Sequence, residues 1–107
     1  MQINIKATNL ELTTQIRDYI QEKMDMLEKY LGRVQVINAR FEVEMTTHHH
    51  VKGEIYRAEA NLVVPGDELR VEKTEKDIYK AIDKVKDHLI RSIKRYKEKR
   101  MGKRRKR

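Results

Sequence analysis

Apolar and polar residues alternate along four stretches of the chain, a pattern that is typical of strands with one buried face. These stretches are INIKAT at residues 3–8, VINARFEVEM at 36–45, IYRAEANLVV at 55–64, and a last one that includes Leu69 and Val71. In the second stretch the alternation places Ile37, Ala39, Phe41, Val43 and Met45 on the buried side. The pattern therefore predicts a sheet with one apolar face and one polar face.

Two other stretches carry apolar residues at three- and four-residue spacing, which predicts helices with one buried stripe. The first stretch follows the candidate N-caps Thr13 and Thr14 and stops at Gly32. Its stripe consists of Ile16, Tyr19, Ile20, Met24, Leu27 and Leu31. The second stretch opens on TEKD, residues 74–77, which have the spacing of a capping box. Its stripe consists of Ile78, Ile82, Val85, Leu89, Ile93 and Tyr96.

The order of these elements, β-α-β-β-β-α, predicts an α+β fold of two layers, a four-stranded sheet with both helices packed on its apolar face. The first two strands are expected to be joined by a right-handed parallel crossover. The later strands are expected to pair as hairpins, with Pro65-Gly66 in a type II turn. A length of 107 residues predicts one domain, over residues 1–100, and residues 101–107 are predicted to be a basic C-terminal tail or the start of a linker.

Positive charge is concentrated at the C-terminal end. Ten of the last fourteen residues are Lys or Arg and one is Glu, so this segment carries +9, whereas the whole chain carries +8. Such a distribution predicts a polyanionic partner, with nucleic acid first and an anionic membrane second. The absence of cysteine excludes disulfides and thiolate metal sites. Without an apolar run of membrane-spanning length or a signal-peptide pattern, a soluble cytoplasmic protein is expected.

The sequence offers no arrangement that fits catalysis or metal binding. His48, His49 and His50 lie in a polar loop without HxxxH or HExxH spacing, and a solvated loop is the preferred interpretation. A Ser-His-Asp arrangement would need Ser92, which lies on the same predicted helix as His88. We therefore expect no enzymatic activity, no cofactor and no metal.

The polar face of the predicted sheet is one candidate surface for RNA. RNA-recognition motifs bind bases through exposed aromatic residues on their central strands. The outward positions of this chain hold no aromatic residue and several carboxylates, which repel phosphates. They are Asn38, Arg40, Glu42, Glu44, Arg57, Glu59, Asn61, Arg70 and Glu72. A solvated face with cross-strand charge pairs is the better interpretation.

The helices are the stronger candidate surface. On the last helix four cations fall within about 60° of one another at about 100° per residue, namely Lys80, Lys84, Arg91 and Arg95. The remaining candidates extend this charge around the last turns and onto the first helix, and they are Lys94, Lys97, Lys99, Lys23, Lys29 and Arg33. Cations near a helix C-terminus also favour the helix dipole, so an ordinary charged face is the alternative. Joined to the +9 segment, the ten residues predict a helical surface that binds phosphates.

Three short motifs resemble those of the hibernation-promoting factor and ribosome-associated inhibitor family, also called the sigma-54 modulation protein family. They are NIKATNLELT at residues 4–13, LEKY at 27–30 and DIYKAID at 77–83, followed by a basic continuation. The resemblance implies binding to ribosomal RNA of the small subunit, in the channel of messenger and transfer RNA, and inhibition of translation under stress. We also expect neither a membrane partner nor a small-molecule substrate.

The same resemblance implies RNA contacts by particular helix residues, namely Lys29, Arg91, Arg95 and Lys99. His88 and Ser92 stand where the family often has Lys and Gln. Two alternatives remain: a general double-stranded RNA-binding module and a transcription modulator that acts by protein contact. The former needs basic residues at the start of its second helix, where this chain has Glu75-Lys76-Asp77.

Overall fold

A computed structural model of the chain describes residues 1–46 and 53–105, with side chains up to Met101. Its elements are β1 (Asn4–Thr8), α1 (Thr14–Asp25), α2 (Glu28–Leu31), β2 (Asn38–Thr46), β3 (Ile55–Val64), β4 (Asp67–Glu75) and α3 (Ile78–Arg105). The predicted histidine loop, residues 48–50, lies outside the described residues. The backbone of α3 runs through the predicted domain boundary at residue 100, and that boundary stays a prediction.

The four strands form one sheet in the order β1-β2-β3-β4. β1 pairs with β2 in parallel, with Ile5 opposite Phe41, and the other neighbours are antiparallel. Pro65-Gly66 connects β3 to β4, and Gly66 has a φ of 79°, as the second central position of a type II turn requires. The predicted parallel first step and the later hairpins are therefore confirmed.

The core lies between this sheet and the helices. Residues on one side of the sheet are buried in alternation, and they are Ala39, Phe41, Val43, Ala58, Ala60, Leu62, Val64, Leu69 and Val71. The helices contribute the rest of the same core, chiefly Ile16, Ile20, Met24, Leu27, Leu31, Ile78, Ile82, Val85, Leu89, Ile93 and Tyr96. The two-layer α+β fold is therefore the predicted one.

The first predicted helix begins as expected, because the Thr13 hydroxyl accepts a hydrogen bond from the N–H of Ile16 at 3.2 Å. It is interrupted after α1, however. The N–H of Leu27 donates to the carbonyl of Met24, three residues back, at 3.0 Å, which is a 3₁₀-type bond. Leu27 and Leu31 remain buried, so the apolar stripe continues across the interruption into α2.

Two local predictions are wrong. The capping box does not form, because β4 extends through Glu75 and pairs Thr74 with Arg57. Asp77 caps α3 instead, with its Oδ1 accepting from the N–H of Tyr79 at 2.8 Å. Ile37, predicted to be buried, is 61% exposed because β2 begins only at Asn38.

Candidate nucleic-acid interface

Nine of the ten candidate cations lie on two flanks of α3, a helix about 42 Å long at 1.5 Å per residue. We call one side the β4 flank, because it adjoins the edge strand β4, and it carries Lys80, Lys84, His88, Arg91, Arg95 and Lys99. We call the other side the α2 flank, where Lys94, Lys97 and Arg100 meet Lys29 and Arg33 at the end of α2. The single predicted surface is therefore divided into two by the structure.

On the β4 flank the cations are exposed and mostly unneutralised. Lys84 is ion-paired with Glu75 of β4. Within residues 1–46 and 53–101, no carboxylate lies at ion-pair distance from the other predicted cations of this flank, and these are Lys80, Arg91, Arg95 and Lys99. Their charge is therefore available to an anionic partner.

Lys73 joins the β4 flank, although it was not among the predicted residues. It alternates with Leu69 and Val71 along β4, so its side chain lies on the helix side of this edge strand, half-buried. It lines one groove with Lys84 and Arg91. The alternation along β4 was the signal that could have identified it.

His88 lies among these cations. Burial is the main cause that lowers the pKa of its imidazole, and the positive charges of Lys73, Arg91 and Arg95 lower this pKa further. Its Nδ1 atom is buried and has no hydrogen-bond partner among the described residues. At neutral pH the imidazole is therefore neutral, and the cations that converge on it come from both β4 and α3.

On the α2 flank, Tyr30 contacts three lysines through its ring and its backbone carbonyl. The Nζ atoms of Lys29 and Lys94 lie 5.1 and 5.4 Å from the centroid of its ring. The Nζ of Lys97 donates a hydrogen bond to the carbonyl of Tyr30 at 3.0 Å. An aromatic ring and a carbonyl are neutral partners, so they position the ammonium groups without cancelling their charge.

Lys23 has a different environment from the other candidates. It is half-buried, its Nζ lies 3.6 Å from Asp83 on α3, and it is 4.9 Å from the centroid of the Tyr19 ring. The Tyr19 hydroxyl donates to the same Asp83 at 2.8 Å. Burial and this hydrogen bond raise the pKa of Tyr19 to about 12. Lys23 thus takes part in the contact between α1 and α3, and Asp83 neutralises its charge.

The DIYKAID motif has a structural explanation in this same contact. Asp77 caps α3, and Ala81 and Ile82 are buried in the core. Tyr79 packs edge-to-face on Tyr19 with ring centroids 4.9 Å apart. The motif therefore fixes the start of α3 against α1.

The outer face of the sheet, which points away from the helices, is also charged, but two of its three arginines, Arg57 and Arg70, are ion-paired. Arg57 donates to Glu42 at 2.6 Å and to Glu44 at 2.8 Å, and Arg70 donates to Glu59 at 2.9 Å. The hydrogen bond from Arg57 is the main cause of the lowered pKa of Glu42. The predicted cross-strand charge pairs are therefore confirmed.

Within the described part of the chain, the His, Asp and Glu side chains form no group of three that could hold a metal ion. None of the helices in this part combines the length and the apolar character needed to cross a membrane.

Comparison with known families gives one match that covers most of the chain. Residues 3–101 match the family described as "Sigma 54 modulation protein / S30EA ribosomal protein". The ribosome hibernation promoting factor of Pseudomonas putida is 32% identical over 99 residues, which cover 92% of this chain and 89% of the relative. The protein of the same name from Escherichia coli K12 is also 32% identical, covering 92% of this chain and 96% of the relative.

Solved structures show the same fold. The N-terminal domain of Thermus thermophilus Protein Y superposes with a TM-score of 0.70 at 31% identity, covering 90% of this chain and 99% of that one. A ribosomal subunit interface protein from Coxiella burnetii superposes with a TM-score of 0.77 at 16% identity, covering 92% of this chain and 99% of that one. At that identity the second similarity supports the fold alone.

Proposed function

Because the chain belongs to the sigma 54 modulation protein / S30EA ribosomal protein family, we propose that it is a ribosome hibernation factor that binds the small ribosomal subunit. Its place of action is then the cytoplasm, and its effect is to inhibit translation under stress. Members of this family are binding proteins, so the predicted absence of enzymatic activity is confirmed by membership.

The observation that carries this proposal is the set of unneutralised cations on the two flanks of α3. Arg91, Arg95 and Lys99 are exposed on the β4 flank, while Lys29 and Lys94 are held over Tyr30 on the α2 flank. Folded RNA is recognised mainly through its backbone and shape, which requires positioned cations more than base-reading groups. We propose that both flanks contact ribosomal RNA, and that Lys23 contributes less because Asp83 already neutralises it.

Inhibition would follow from occlusion. The chain belongs to a family of binding proteins, so it would act by occupying a site rather than by altering the RNA. We propose that this site is the channel through which messenger and transfer RNA pass. Both ligands should then compete with the protein for the small subunit.

The two alternatives are less well supported. A double-stranded RNA-binding module needs cations at the start of its second helix, whereas α3 begins with the cap Asp77, and the preceding Glu75 is paired with Lys84. A transcription modulator acting by protein contact would need no phosphate-binding surface. Such a modulator would therefore leave the cations of α3 between Lys80 and Arg100 without a role.

Co-sedimentation with purified small subunits tests the proposal. We expect the protein to co-sediment with them, and messenger and transfer RNA together to displace it, whereas a free RNA duplex at equal nucleotide concentration should displace it much less. Simultaneous binding of all three with unchanged affinities would exclude occlusion. Equal affinity for the free duplex would instead support the general double-stranded RNA-binding module.

A further inference from the structure

A groove opens at the end of the molecule where α2, the β3–β4 turn and the last turns of α3 meet. Its walls carry three cations, Arg33, Lys97 and Arg100, and apolar side chains that include Leu31, Val34 and Met101. Among residues 1–46 and 53–101, no carboxylate lines this groove. Its charge is therefore positive without local compensation.

Two of these cations are held in place before any ligand arrives. The guanidinium of Arg100 donates to the carbonyl of Pro65 at 3.3 Å and to the Tyr96 hydroxyl, and its central carbon lies 5.4 Å from the centroid of the Tyr96 ring. Lys97 is held by the carbonyl of Tyr30. All of these partners are neutral, so the two side chains keep their charge and lose less conformational entropy on binding an anion.

The apolar part of the groove complements the charged part. Met101 is a large apolar side chain, yet it is 54% exposed. It lies in the groove beside the three cations. A methionine thioether adapts its shape to a flat ring and makes favourable contacts with aromatic groups. Positive charge beside an exposed apolar surface matches a nucleotide, which joins a phosphate to a planar base.

We propose that this groove binds one unstacked nucleotide of RNA, with its phosphate on Arg100 and Lys97 and its base against Met101 and Val34. This inference rests on the proposed function, because the RNA would be that of the small subunit. It adds Met101 and Val34 to the contact surface and assigns Arg100, already on the α2 flank, to one phosphate. Single-stranded nucleotides whose bases are splayed out are the usual targets of such mixed sites.

The test measures the affinity of four variants for small subunits at several salt concentrations. Arg100→Gln removes the charge, and Arg100→Lys keeps it. Met101→Gln replaces the apolar side chain by a polar one of similar length, and Arg17→Gln removes an exposed arginine on α1 as the matched control. Circular dichroism of each variant establishes that the fold is intact.

We expect Arg100→Gln to weaken binding about fivefold. The salt slope, which is the slope of log affinity against log salt concentration, should become shallower by roughly 0.7 to 0.9, the effect of one lost phosphate contact. Arg100→Lys should retain the slope. Met101→Gln should weaken binding about threefold with an unchanged slope, because a base contact releases no counterion. Arg17→Gln should change neither quantity.

If the wild-type protein binds small subunits but Arg100→Gln and Met101→Gln behave like Arg17→Gln, the groove proposal is wrong and the proposed function stands. If the wild-type protein does not bind small subunits, the groove proposal and the proposed function are both wrong.

Binding of ATP tests whether the groove takes a free nucleotide instead of RNA. Binding of ATP that Arg100→Gln abolishes, with subunit binding unaffected, would overturn the assignment to RNA.

Discussion

The outer face of the sheet and the flanks of α3 are both crowded with charge, but the charges are arranged differently. On the sheet, Arg57 is only 18% exposed and lies against Glu42 and Glu44. On α3, Arg91 and Arg95 are exposed and have no such partner among the described residues. The number of charged residues therefore does not distinguish a binding surface from a structural one, whereas their pairing does.

The difference follows from which residues are neighbours on the two elements. On the sheet, Glu42, Glu59 and Glu72 lie directly opposite one another on neighbouring strands, where like charges destabilise. Arg57 and Arg70, on the same face, neutralise their charge. On a helix the neighbours are four residues apart, and Lys80–Lys84, Arg91–Arg95 and Arg95–Lys99 are all like-charged pairs. Each such pair destabilises an isolated helix by about 0.2–0.5 kcal/mol. A repeated cost of this kind is consistent with a surface that serves a partner.

Reversing the charge of the α3 arginines should produce the largest effect. We expect Arg91→Glu with Arg95→Glu to weaken binding to small subunits about 100-fold, because two phosphate contacts become two repulsions. Both side chains are exposed, so the free energy of unfolding should change by no more than about 0.5 kcal/mol per site. The matched control, Arg40→Glu with Arg70→Glu on the outer face, should weaken binding less than threefold. Filter binding with small subunits measures both, and equal losses would contradict the comparison.

Removing Arg57 should have the opposite pattern, with a large effect on stability and a small one on binding. Arg57→Ala leaves Glu42, Glu44 and Glu59 close together without their shared cation. We expect the free energy of unfolding to fall by about 2 kcal/mol, less than for a fully buried pair. Urea denaturation checks this, with exposed Arg40→Ala as the control. A loss no larger than that of the control would mean that the sheet pairs are not structural.

The smallest expected effect concerns His88. Its pKa in the folded state lies below the ordinary value of 6.5, so the unfolded chain binds more protons as the pH falls through this range. Stability should therefore decrease on acidification below about pH 6.5. In His88→Gln, urea midpoints at pH 7.5 and 5.5 should differ less than in the wild-type protein. An equal or larger difference in the variant would show that Lys73, Arg91 and Arg95 do not act on His88 as the geometry indicates.

Alternation and helical spacing were sufficient to predict the fold, because each element has one buried face. They placed β3 at residues 55–64 with the bounds that the structure has. They could not decide whether Thr74 and Glu75 cap a helix or extend a strand. Pairing with β3 makes both residues part of strand β4. This pairing is a tertiary contact, so the local sequence carries no signal of it.

The candidate site was predictable only in part for the same reason. Spacing along one helix identified the cations of α3, but the carboxylates that neutralise Lys23 and Lys84 lie on other elements. Lys73 reaches the β4 flank from a strand, and Arg100 meets Lys97 and Arg33 only where three elements converge. Which of the cations remain available is therefore a property of the packed structure.

Thiol protection on the small subunit tests the central claim most directly. The chain contains no cysteine. Asp87 is exposed on the β4 flank, in the same groove as Lys84 and Arg91. Asp87→Cys there and Arg40→Cys on the outer face therefore each introduce a single reactive thiol at an exposed position. The rate of alkylation by iodoacetamide is measured with and without saturating small subunits. We predict that the subunits slow alkylation at position 87 at least tenfold and leave position 40 unchanged. Protection of position 40 with continued reaction at position 87 would contradict the assignment of the binding surface to α3.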